Sequence, residues 1–464
     1  MDAAVLIPGI MGTRLLLPAT APGVDPEEVW PPTPLETQTG YKRIDKLLDR
    51  RVVAGDVIDK VLCFSFYKTI ADELIALGYL RGGALKRLVE FPYDWRKDNF
   101  ISAEALASRL DQVHADGVKR ITLIGHSMGG LIARLLLESG KYNTRPWFGN
   151  IGAFLALATP HLGAPLALAR IFGLDSTLGI SGADFARLVA QPDFPSGYQL
   201  IPAPGELAVW NLESPDVAAL DVYDDATARR LGLDPNLIAQ AKALHDALGL
   251  GGRPAHVRYF YIAGSGHRTV TRVNVAAGAG GPVDHSKSVV THTPDAGDGT
   301  VPMYSALPAS GQRQIVVNEH ATVFDGRPFR HLFFRLLGGD DGEVLELDTL
   351  EEATPGPRVA LSLDSPVQRF DRSMELTLGV FSSAKAGEPD HVDKITGNII
   401  IEQVSENLAI RPTRVREIAI SYRGPSIDRL TMELPPIGTA GLYRLSFEGE
   451  PLAANIAPFA VSRV

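Results

Sequence analysis

The segment "LIGHSMGG" (123–130) places a serine among glycines at the point where an apolar run changes into a helical pattern. Its core, Gly125-His126-Ser127-Met128-Gly129, fits the pattern G-x-S-x-G, in which a sharp strand-to-helix turn lifts the serine hydroxyl above a sheet. Glycines are needed there because larger side chains would collide with the neighbouring strands. The sequence therefore predicts that Ser127 is a nucleophile. The alternative is an ordinary glycine-rich turn between a strand and a helix.

A serine hydroxyl is a weak nucleophile, so it needs a histidine base and a carboxylate that orients the base. On strand–serine–helix scaffolds these partners follow in the order serine, acid, histidine. Asp298 in "DAGDGTVP" (295–302) and His320 in "IVVNEHATVFDG" (315–326) both lie in loops after predicted strands, and they follow that order. Asp295 is the alternative acid, and His331, inside the last predicted helix of this region, is the alternative base.

Acyl transfer also requires an oxyanion hole, which is made of two N–H donors. One donor is normally the residue after the nucleophile, here Met128. The second comes from an early turn after a strand, and "IPGIMGT" (7–13) is the early segment with this form. Its glycines let the backbone approach an ester closely. We predict that Ile10 is the second donor, with Met11 as the alternative.

Up to residue 338, short apolar runs alternate with amphipathic helical patterns, which is typical of a parallel α/β sheet. Two long segments interrupt this rhythm, at about 20–60 and 164–250. Insertions of this length between sheet strands are usually caps or lids. We therefore predict a catalytic domain over 1–338 that carries a largely helical lid.

The pattern changes after residue 338. An acidic segment rich in proline and glycine (339–357) predicts a linker. Beyond it, residues 358–464 alternate apolar and polar positions, with turn residues at short intervals. This pattern predicts an all-β, immunoglobulin-like sandwich. No catalytic constellation occurs in that part of the sequence.

Composition limits the partners and the compartment. The net charge of −9 and the lack of basic runs argue against nucleic acid binding. No apolar stretch is long enough for a membrane helix. No metal-ligand spacing is present, so we expect neither a metal nor another cofactor.

The single cysteine, Cys63, excludes an internal disulfide. The apolar start, preceded by Asp2 and broken at Pro8, is a poor signal peptide. We expect a cytoplasmic protein, although a secreted bacterial protein could also lack disulfides.

Several motifs together resemble the lecithin:cholesterol acyltransferase family, which includes phospholipases and phospholipid:diacylglycerol acyltransferases. The motifs are "LIPGIMGTRL", "FPYDWR" (91–96), "GHSMGG", "ATPHLGAP" (158–165), "PSGYQLIP" (195–202), "YIAGSGHRTV" (261–270) and "GDGTVP" (297–302). The resemblance implies an α/β-hydrolase fold with a lid. It also implies that Ser127, Asp298 and His320 form the triad, and that Ile10 and Met128 form the oxyanion hole. Asp94, Trp95 and Arg96 match a motif that implies a buried Arg–Asp pair packed against an aromatic ring.

We therefore expect a serine acyl-ester hydrolase or acyltransferase that acts on lipid esters and contacts membrane surfaces transiently. The residues leave open whether water or an alcohol receives the acyl group. One alternative is an esterase or thioesterase with a non-lipid substrate. Another is an effector regulated by a protein partner, in which the C-terminal sandwich is the recognition module; a sandwich that only packs on the catalytic domain is equally compatible with the sequence.

Overall fold

The structure is a computed structural model that describes residues 1–19, 21, 23–61, 64–65, 67–214, 216–277, 281–338, 357–365, 367–382, 390–404, 412–451 and 457–462. Cys63 and nearly all of the predicted linker (339–357) lie outside the described residues. Contacts between Cα atoms divide the chain into two compact units. The first is Met1–Pro31 with Arg43–Asp341, and the second is Pro32–Lys42 with Gly342–Val464.

The described strands of the first unit are, in chain order, β1 (Asp2–Ile7), β2 (Thr13–Leu17), β3 (Glu27–Trp30), β4 (Val53–Val57), β5 (Lys60–Val61), β6 (Phe64–Ser65), β7 (Leu80–Arg81), β8 (Lys86–Glu90), β9 (Arg120–His126), β10 (Ile151–Leu157), β11 (Val209–Asn211), β12 (Ala219–Leu220), β13 (Arg258–Gly264), β14 (His267–Val275), β15 (Val289–Gly297) and β16 (Gln312–Val316). The described helices of the chain are α1 (Pro34–Thr39), α2 (Ile44–Leu47), α3 (Lys68–Ala76), α4 (Asn99–Ala115), α5 (Met128–Glu138), α6 (Pro165–Ile171), α7 (Gly182–Val189), α8 (Asp225–Arg230), α9 (Pro235–Ala247), α10 (Met303–Ala306) and α11 (Arg327–Leu337). Among the described residues, no helix is long and apolar enough to cross a membrane.

The centre of the first unit is a parallel sheet with the strand order β16-β13-β10-β9-β1-β8-β7. The inner strands are nearly continuous apolar runs because helices cover both faces of such a sheet. In β1, for example, the residues from Ala3 to Ile7 are at most 1% exposed. The parallel α/β prediction is confirmed. The two-residue strand β7 was too short to be predicted from its sequence.

The register of the central strands brings two loops together. Ile7 at the end of β1 lies opposite Gly125 of β9, and Ala156 of β10 lies on the other side of Gly125. The turn after β1 and the turn after β9 therefore leave the sheet side by side at its carboxyl edge. In open α/β sheets this edge is where ligands bind.

The lid segments are less helical than predicted. The segment 164–250 does contain α6 to α9, but it also contributes β11 and β12 to a second sheet with the order β12-β11-β14-β15. The hairpin β14–β15 was not predicted from the sequence. Apolar side chains of the helices and of this sheet pack into one core, which includes Leu168, Leu237, Val209 and Val273. Most of the apolar patches in the lid are therefore buried in its own core.

The segment 20–60, which was predicted as part of the lid, contains two strands and two short helices among its described residues. Its strands β3 and β4 pair with β2 in a three-stranded antiparallel sheet. The short helix α2 lies between those strands in sequence. The stretch Pro32–Lys42, which contains α1, groups with the C-terminal unit and not with the catalytic unit. Strands of four and five residues with exposed polar positions carry too little periodicity to be recognised.

The described strands of the second unit are β17 (Pro357–Leu363), β18 (Val367–Arg369), β19 (Met374–Ser382), β20 (Val392–Val404), β21 (Thr413–Ile427), β22 (Arg429–Leu434), β23 (Gly441–Glu450) and β24 (Ala457–Ser462). They form a sheet β17-β19-β22 and a sheet β18-β24-β23-β20-β21. Both sheets contribute to one apolar core, for example through Leu376 and Leu378 from the first and Ile399 and Phe447 from the second. Two sheets that share a core make a sandwich.

Candidate active site

Ser127 lies in the turn between β9 and α5, and its backbone has φ 52° and ψ −125°. A non-glycine residue with positive φ is strained, and such strain is typical of functional turns. The turn is too tight for side chains at the flanking glycines. A Cβ added at Gly129 would lie 2.3 Å from the carbonyl oxygen of Ile7, and one added at Gly125 would lie 2.6 Å from the Cα of Gly130.

The structure brings Ser127, His320 and Asp298 together from three distant parts of the chain. The Nε2 atom of His320 lies 2.8 Å from the Ser127 Oγ atom, and its Nδ1 atom lies 2.8 Å from Asp298 Oδ2. The backbone N–H of His320 also donates to the carbonyl oxygen of Asp298 at 2.9 Å. The alternative residues are elsewhere: Asp295 is exposed on β15, and His331 is exposed on α11.

Asp298 is 1% exposed, and its second carboxylate oxygen accepts hydrogen bonds from the N–H groups of Thr300 and Val301. Burial alone would raise the pKa of this carboxyl. The charge of His320 and the hydrogen bonds from His320, Val301 and Thr300 outweigh that effect and hold the pKa of Asp298 below its ordinary value. Asp298 is therefore ionised at neutral pH, as is required of a group that stabilises an imidazolium.

The turn after β1 is held by hydrogen bonds from aromatic side chains. Tyr93 donates its hydroxyl proton to the Pro8 carbonyl oxygen at 2.8 Å, and Trp30 donates its Nε1 proton to the Met11 carbonyl oxygen at 2.8 Å. Within the turn, the N–H of Gly12 donates to the carbonyl oxygen of Gly9 at 3.1 Å. These bonds fix the peptide planes of the predicted oxyanion turn. Such preorganisation is what stabilisation of an oxyanion requires.

The two predicted oxyanion donors flank the nucleophile. Met128 is the first residue of α5, directly after Ser127, and Ile10 lines the same cavity as Ser127. Met11 lines this cavity as well, and its φ of 65° is in the left-handed region. The choice of Ile10 over Met11 stays a prediction.

A cavity of about 260 Å³ opens beside Ser127 and His320. Its far wall is formed by apolar side chains from α6, from the segment before α7, from α7 itself and from the 3₁₀ turn Pro195–Leu200. Examples are Leu166, Leu178, Phe185, Leu188 and Leu200. An apolar cavity beside a few polar groups is the usual form of a site for a mainly apolar ligand. Among the described residues, no cluster of histidine, cysteine or carboxylate side chains could hold a metal ion.

Comparison with known proteins shows a family resemblance over part of this chain. Residues 38–219 match the profile of the family "Lecithin:cholesterol acyltransferase". This part of the chain is similar to lecithin:cholesterol acyltransferases, as the motifs predicted.

Two similar proteins come from Arabidopsis thaliana. "Lecithin-cholesterol acyltransferase-like 4" is 30% identical over 133 residues, which are 28% of this chain and 23% of the relative. "Phospholipase A(1) LCAT3" is 24% identical over 315 residues, which are 56% of this chain and 68% of the relative. This chain therefore spans less than a quarter of the length of the first of them.

One solved structure with a similar fold is titled "The crystal structure of Tle4-Tli4 complex". Its matching chain aligns with a TM-score of 0.50 at 14% identity, over 72% of this chain and 98% of that one. At this level of identity the match shows a shared fold. This shared fold supports the predicted α/β-hydrolase architecture.

The "PYDWR" motif forms a buried ion pair. One edge of the guanidinium contacts both carboxylate oxygens, with Arg96 Nε 2.9 Å from Asp94 Oδ1 and Arg96 Nη2 2.7 Å from Asp94 Oδ2. The remaining guanidinium protons go to the carbonyl oxygens of Leu47, Asp49 and Val52. The pair thus anchors the loop before β4, which indicates a structural role for the motif.

The aromatic rings at this motif connect it with the cavity. The ring of Phe194 lies 4.3 Å from the guanidinium carbon of Arg96, and Phe194 lines the cavity. Trp95 donates its Nε1 proton to the carbonyl oxygen of Thr13 at 3.1 Å and meets Trp30 edge to face. The motif therefore supports both the lid wall and the strand that follows the oxyanion turn.

Replacing Asp94 with asparagine should destabilise the fold. The side chain of Arg96 is fully buried, so the change leaves a guanidinium charge without its counter-ion. Breaking such a pair typically costs about 3–5 kcal/mol of unfolding free energy. Urea unfolding measures this, with Asp72→Asn as the control because Asp72 pairs with Lys68 at the surface. Equal unfolding midpoints for the two variants would contradict a structural role for the pair.

Two polar residues behind Ser127 were not recognised from the sequence. Tyr67 belongs to no motif, and His126 was one histidine among several near the loops. Both line the cavity. No sequence pattern marked Tyr67, because its hydrogen-bond partners Gly9 and His126 lie 58 and 59 residues away in the chain.

Proposed function

We propose that this chain is a serine hydrolase or acyltransferase that acts on lipid esters through an acyl-serine intermediate. The observation that carries the proposal is the position of His320, whose two ring nitrogens lie 2.8 Å from Ser127 Oγ and 2.8 Å from Asp298 Oδ2. A hydroxyl, a base and an orienting carboxylate in this order form the arrangement that activates serine.

The reaction follows from these positions. The Ser127 oxygen bonds to the ester carbonyl carbon while its proton passes to His320 Nε2. The N–H groups of Ile10 and Met128 donate to the resulting oxyanion. When the intermediate collapses, the bond to the leaving oxygen breaks, and His320 returns the proton to the departing alcohol. Water or an acceptor alcohol then attacks the acyl carbon and gives its proton to His320. When this second intermediate collapses, the bond to Ser127 Oγ breaks and His320 returns the proton to Ser127.

The choice of lipid substrates is supported by the apolar lid wall of the cavity and by the family. The side chains of Leu178, Phe185 and Leu188 face the space beside the nucleophile, where an acyl chain would lie. The relatives named above are described as an acyltransferase-like protein and a phospholipase A(1). In the mechanism proposed here, hydrolysis and acyl transfer share the acyl-serine intermediate and differ in the acceptor.

Product analysis tests this proposal. The purified chain is incubated with phosphatidylcholine vesicles that contain a long-chain alcohol, and the lipids are then measured by mass spectrometry. Free fatty acid with lysophospholipid indicates hydrolysis, and an ester of the alcohol indicates transfer; Ser127→Ala is the blank. Turnover of small p-nitrophenyl esters without loss of any lipid would contradict the lipid proposal. Inactivity of the folded chain on both would contradict the enzyme proposal.

Replacing Gly9 with alanine should lower kcat by about 10²-fold with little change in KM, because a shift of the turn misplaces the oxyanion donor. The added Cβ would lie 2.8 Å from Ser127 Cβ and 3.2 Å from His126 Nδ1. Steady-state kinetics measures the effect. Gly149→Ala is the control, because a Cβ at Gly149 meets nothing within 4 Å. A Gly9→Ala enzyme as fast as its control would count against this turn as the oxyanion hole.

The cytoplasmic location and a protein partner for the C-terminal sandwich stay predictions. The first is supported by the single cysteine, and the second by the presence of a separate β unit. Cell fractionation of the tagged chain tests the location, and co-purification with the full chain tests the partner.

A further inference from the structure

Three hydrogen bonds behind the nucleophile join the oxyanion turn to the loop that carries the base. The Tyr67 hydroxyl oxygen lies 2.6 Å from the backbone nitrogen of Gly9 and 2.7 Å from His126 Nδ1. On the other side of the same imidazole, His126 Nε2 lies 2.9 Å from the carbonyl oxygen of His320. The path is unbroken and passes directly behind Ser127.

The direction of each bond follows from the chemistry of its atoms. A backbone N–H can only donate, so the Tyr67 oxygen accepts the proton of Gly9. The hydroxyl's own proton then points to His126 Nδ1, which must be unprotonated to accept it. In a neutral imidazole the remaining proton is on Nε2, where it is donated to the carbonyl oxygen of His320. The network therefore assigns one tautomer to His126.

The surroundings keep both groups neutral. Tyr67 is 2% exposed and His126 is 6% exposed. Burial, and then the charge of His320, lower the pKa of His126 to about 3, and burial raises the pKa of Tyr67. The ring of Phe324 stacks on Tyr67 and meets His126 edge to face, which holds both rings in place.

We propose that Tyr67 and His126 are positioning residues, which hold the oxyanion turn and the catalytic base in fixed register through this chain of hydrogen bonds. The inference rests on the function proposed above. The amide of Gly9 directly precedes Ile10, so its orientation affects the predicted donor. The peptides on either side of His320 are both held, since its N–H donates to Asp298 and its carbonyl oxygen accepts from His126.

The neutral state of His126 also matters for the proposed reaction. The rings of His126 and His320 are 5.0 Å apart between centroids. When His320 accepts the serine proton it becomes a cation, and a second cation at this distance would oppose the transfer. The Tyr67 hydroxyl keeps Nδ1 of His126 as an acceptor and so favours the uncharged ring.

A double-mutant cycle tests the coupling. Tyr67→Phe removes only the hydroxyl, and His126→Asn keeps an acceptor near the position of Nδ1 but loses the donor to His320. Each change should lower kcat by about 10- to 100-fold with little effect on KM. If the two residues act through one path, the double variant is no slower than the slower single variant. Effects that multiply would overturn the coupling.

The control is Tyr223→Phe, which removes a hydroxyl that donates to the Pro202 carbonyl oxygen at 2.7 Å outside the cavity lining. It should match Tyr67→Phe in the loss of thermal stability and should retain wild-type kcat. If both tyrosine variants keep wild-type kcat, the proposal is wrong.

A spectroscopic measurement decides the inference independently of activity. Long-range ¹H–¹⁵N spectra of the full chain at neutral pH should show His126 with a proton on Nε2 and none on Nδ1. In Tyr67→Phe, the Nδ1 resonance of His126 should shift because its donor is lost. A wild-type His126 protonated on Nδ1 would overturn the network. If the spectra agree but the folded chain hydrolyses no ester, the proposed function fails while the network itself stands.

Discussion

Replacing Ser127 with alanine should lower kcat by about 10⁶-fold and leave the fold intact. The change removes the atom that bonds to the ester carbon, whereas the elbow itself depends on the glycines around it. Alanine accepts a positive φ no worse than serine, so the backbone strain is unchanged. Hydrolysis assays measure the loss, and labelling with a fluorophosphonate followed by peptide mass spectrometry locates the reactive serine.

The control for this change is Ser108→Ala, which alters an exposed position on α4 where the hydroxyl donates to the Glu104 carbonyl oxygen. It should keep wild-type activity and labelling. Covalent labelling that survives in Ser127→Ala would place the nucleophile at another residue. That result would refute the elbow as the site of acyl-enzyme formation.

Replacing Asp298 with asparagine should lower kcat by about 10⁴-fold, although the two side chains have nearly the same shape. The buried carboxylate accepts the Nδ1 proton of His320, which leaves Nε2 free to take the proton of Ser127. An amide group can turn its N–H₂ toward Nδ1 instead. The imidazole would then carry its proton on Nε2 and could no longer act as the base.

The unfolding free energy of Asp298→Asn should also depend less strongly on acid pH than that of the wild type. The pKa of Asp298 is lower in the folded chain than in the unfolded chain, so its ionisation stabilises the fold at neutral pH. That contribution is lost as the pH falls below the ordinary aspartate value of 3.8 and through the folded pKa. The difference in unfolding free energy between wild type and Asp298→Asn should therefore shrink in this range. Asp295→Asn is the control, since Asp295 is exposed; a similar loss of kcat there would contradict the assignment of Asp298.

The residues of the candidate site were predictable because each belongs to a short local pattern with a fixed chain order. Ser127 lies in a strand–turn–helix motif, and Asp298 and His320 follow strands of the same sheet region in the order that the motif requires. The path through Tyr67 was not predictable, because it depends on a contact between residues far apart in sequence. A tyrosine before a helix gives no sign of which backbone amide its hydroxyl will meet.

The dependence on contacts between distant residues also explains which strands could not be predicted from the sequence. The apolar runs of the central sheet are long enough to be recognised, and its inner strands are buried on both faces. The hairpin β14–β15 was missed because a polar, glycine-rich segment separates its strands and because β15 is mostly exposed. Short edge strands such as β7 and β12 are defined by their neighbours and not by their own residues.

The stretch Pro32–Lys42 has a consequence for the synthesis of the chain. Its helix α1 belongs to the C-terminal unit, where it packs near β24, the last strand among the described residues. A ribosome therefore releases α1 among the first elements and its neighbour among the last. Until β24 has been synthesised, α1 lacks the unit in which it packs. Because Pro32–Lys42 lies in sequence between the two parts of the first unit, cleavage of the chain at one position cannot separate the two units.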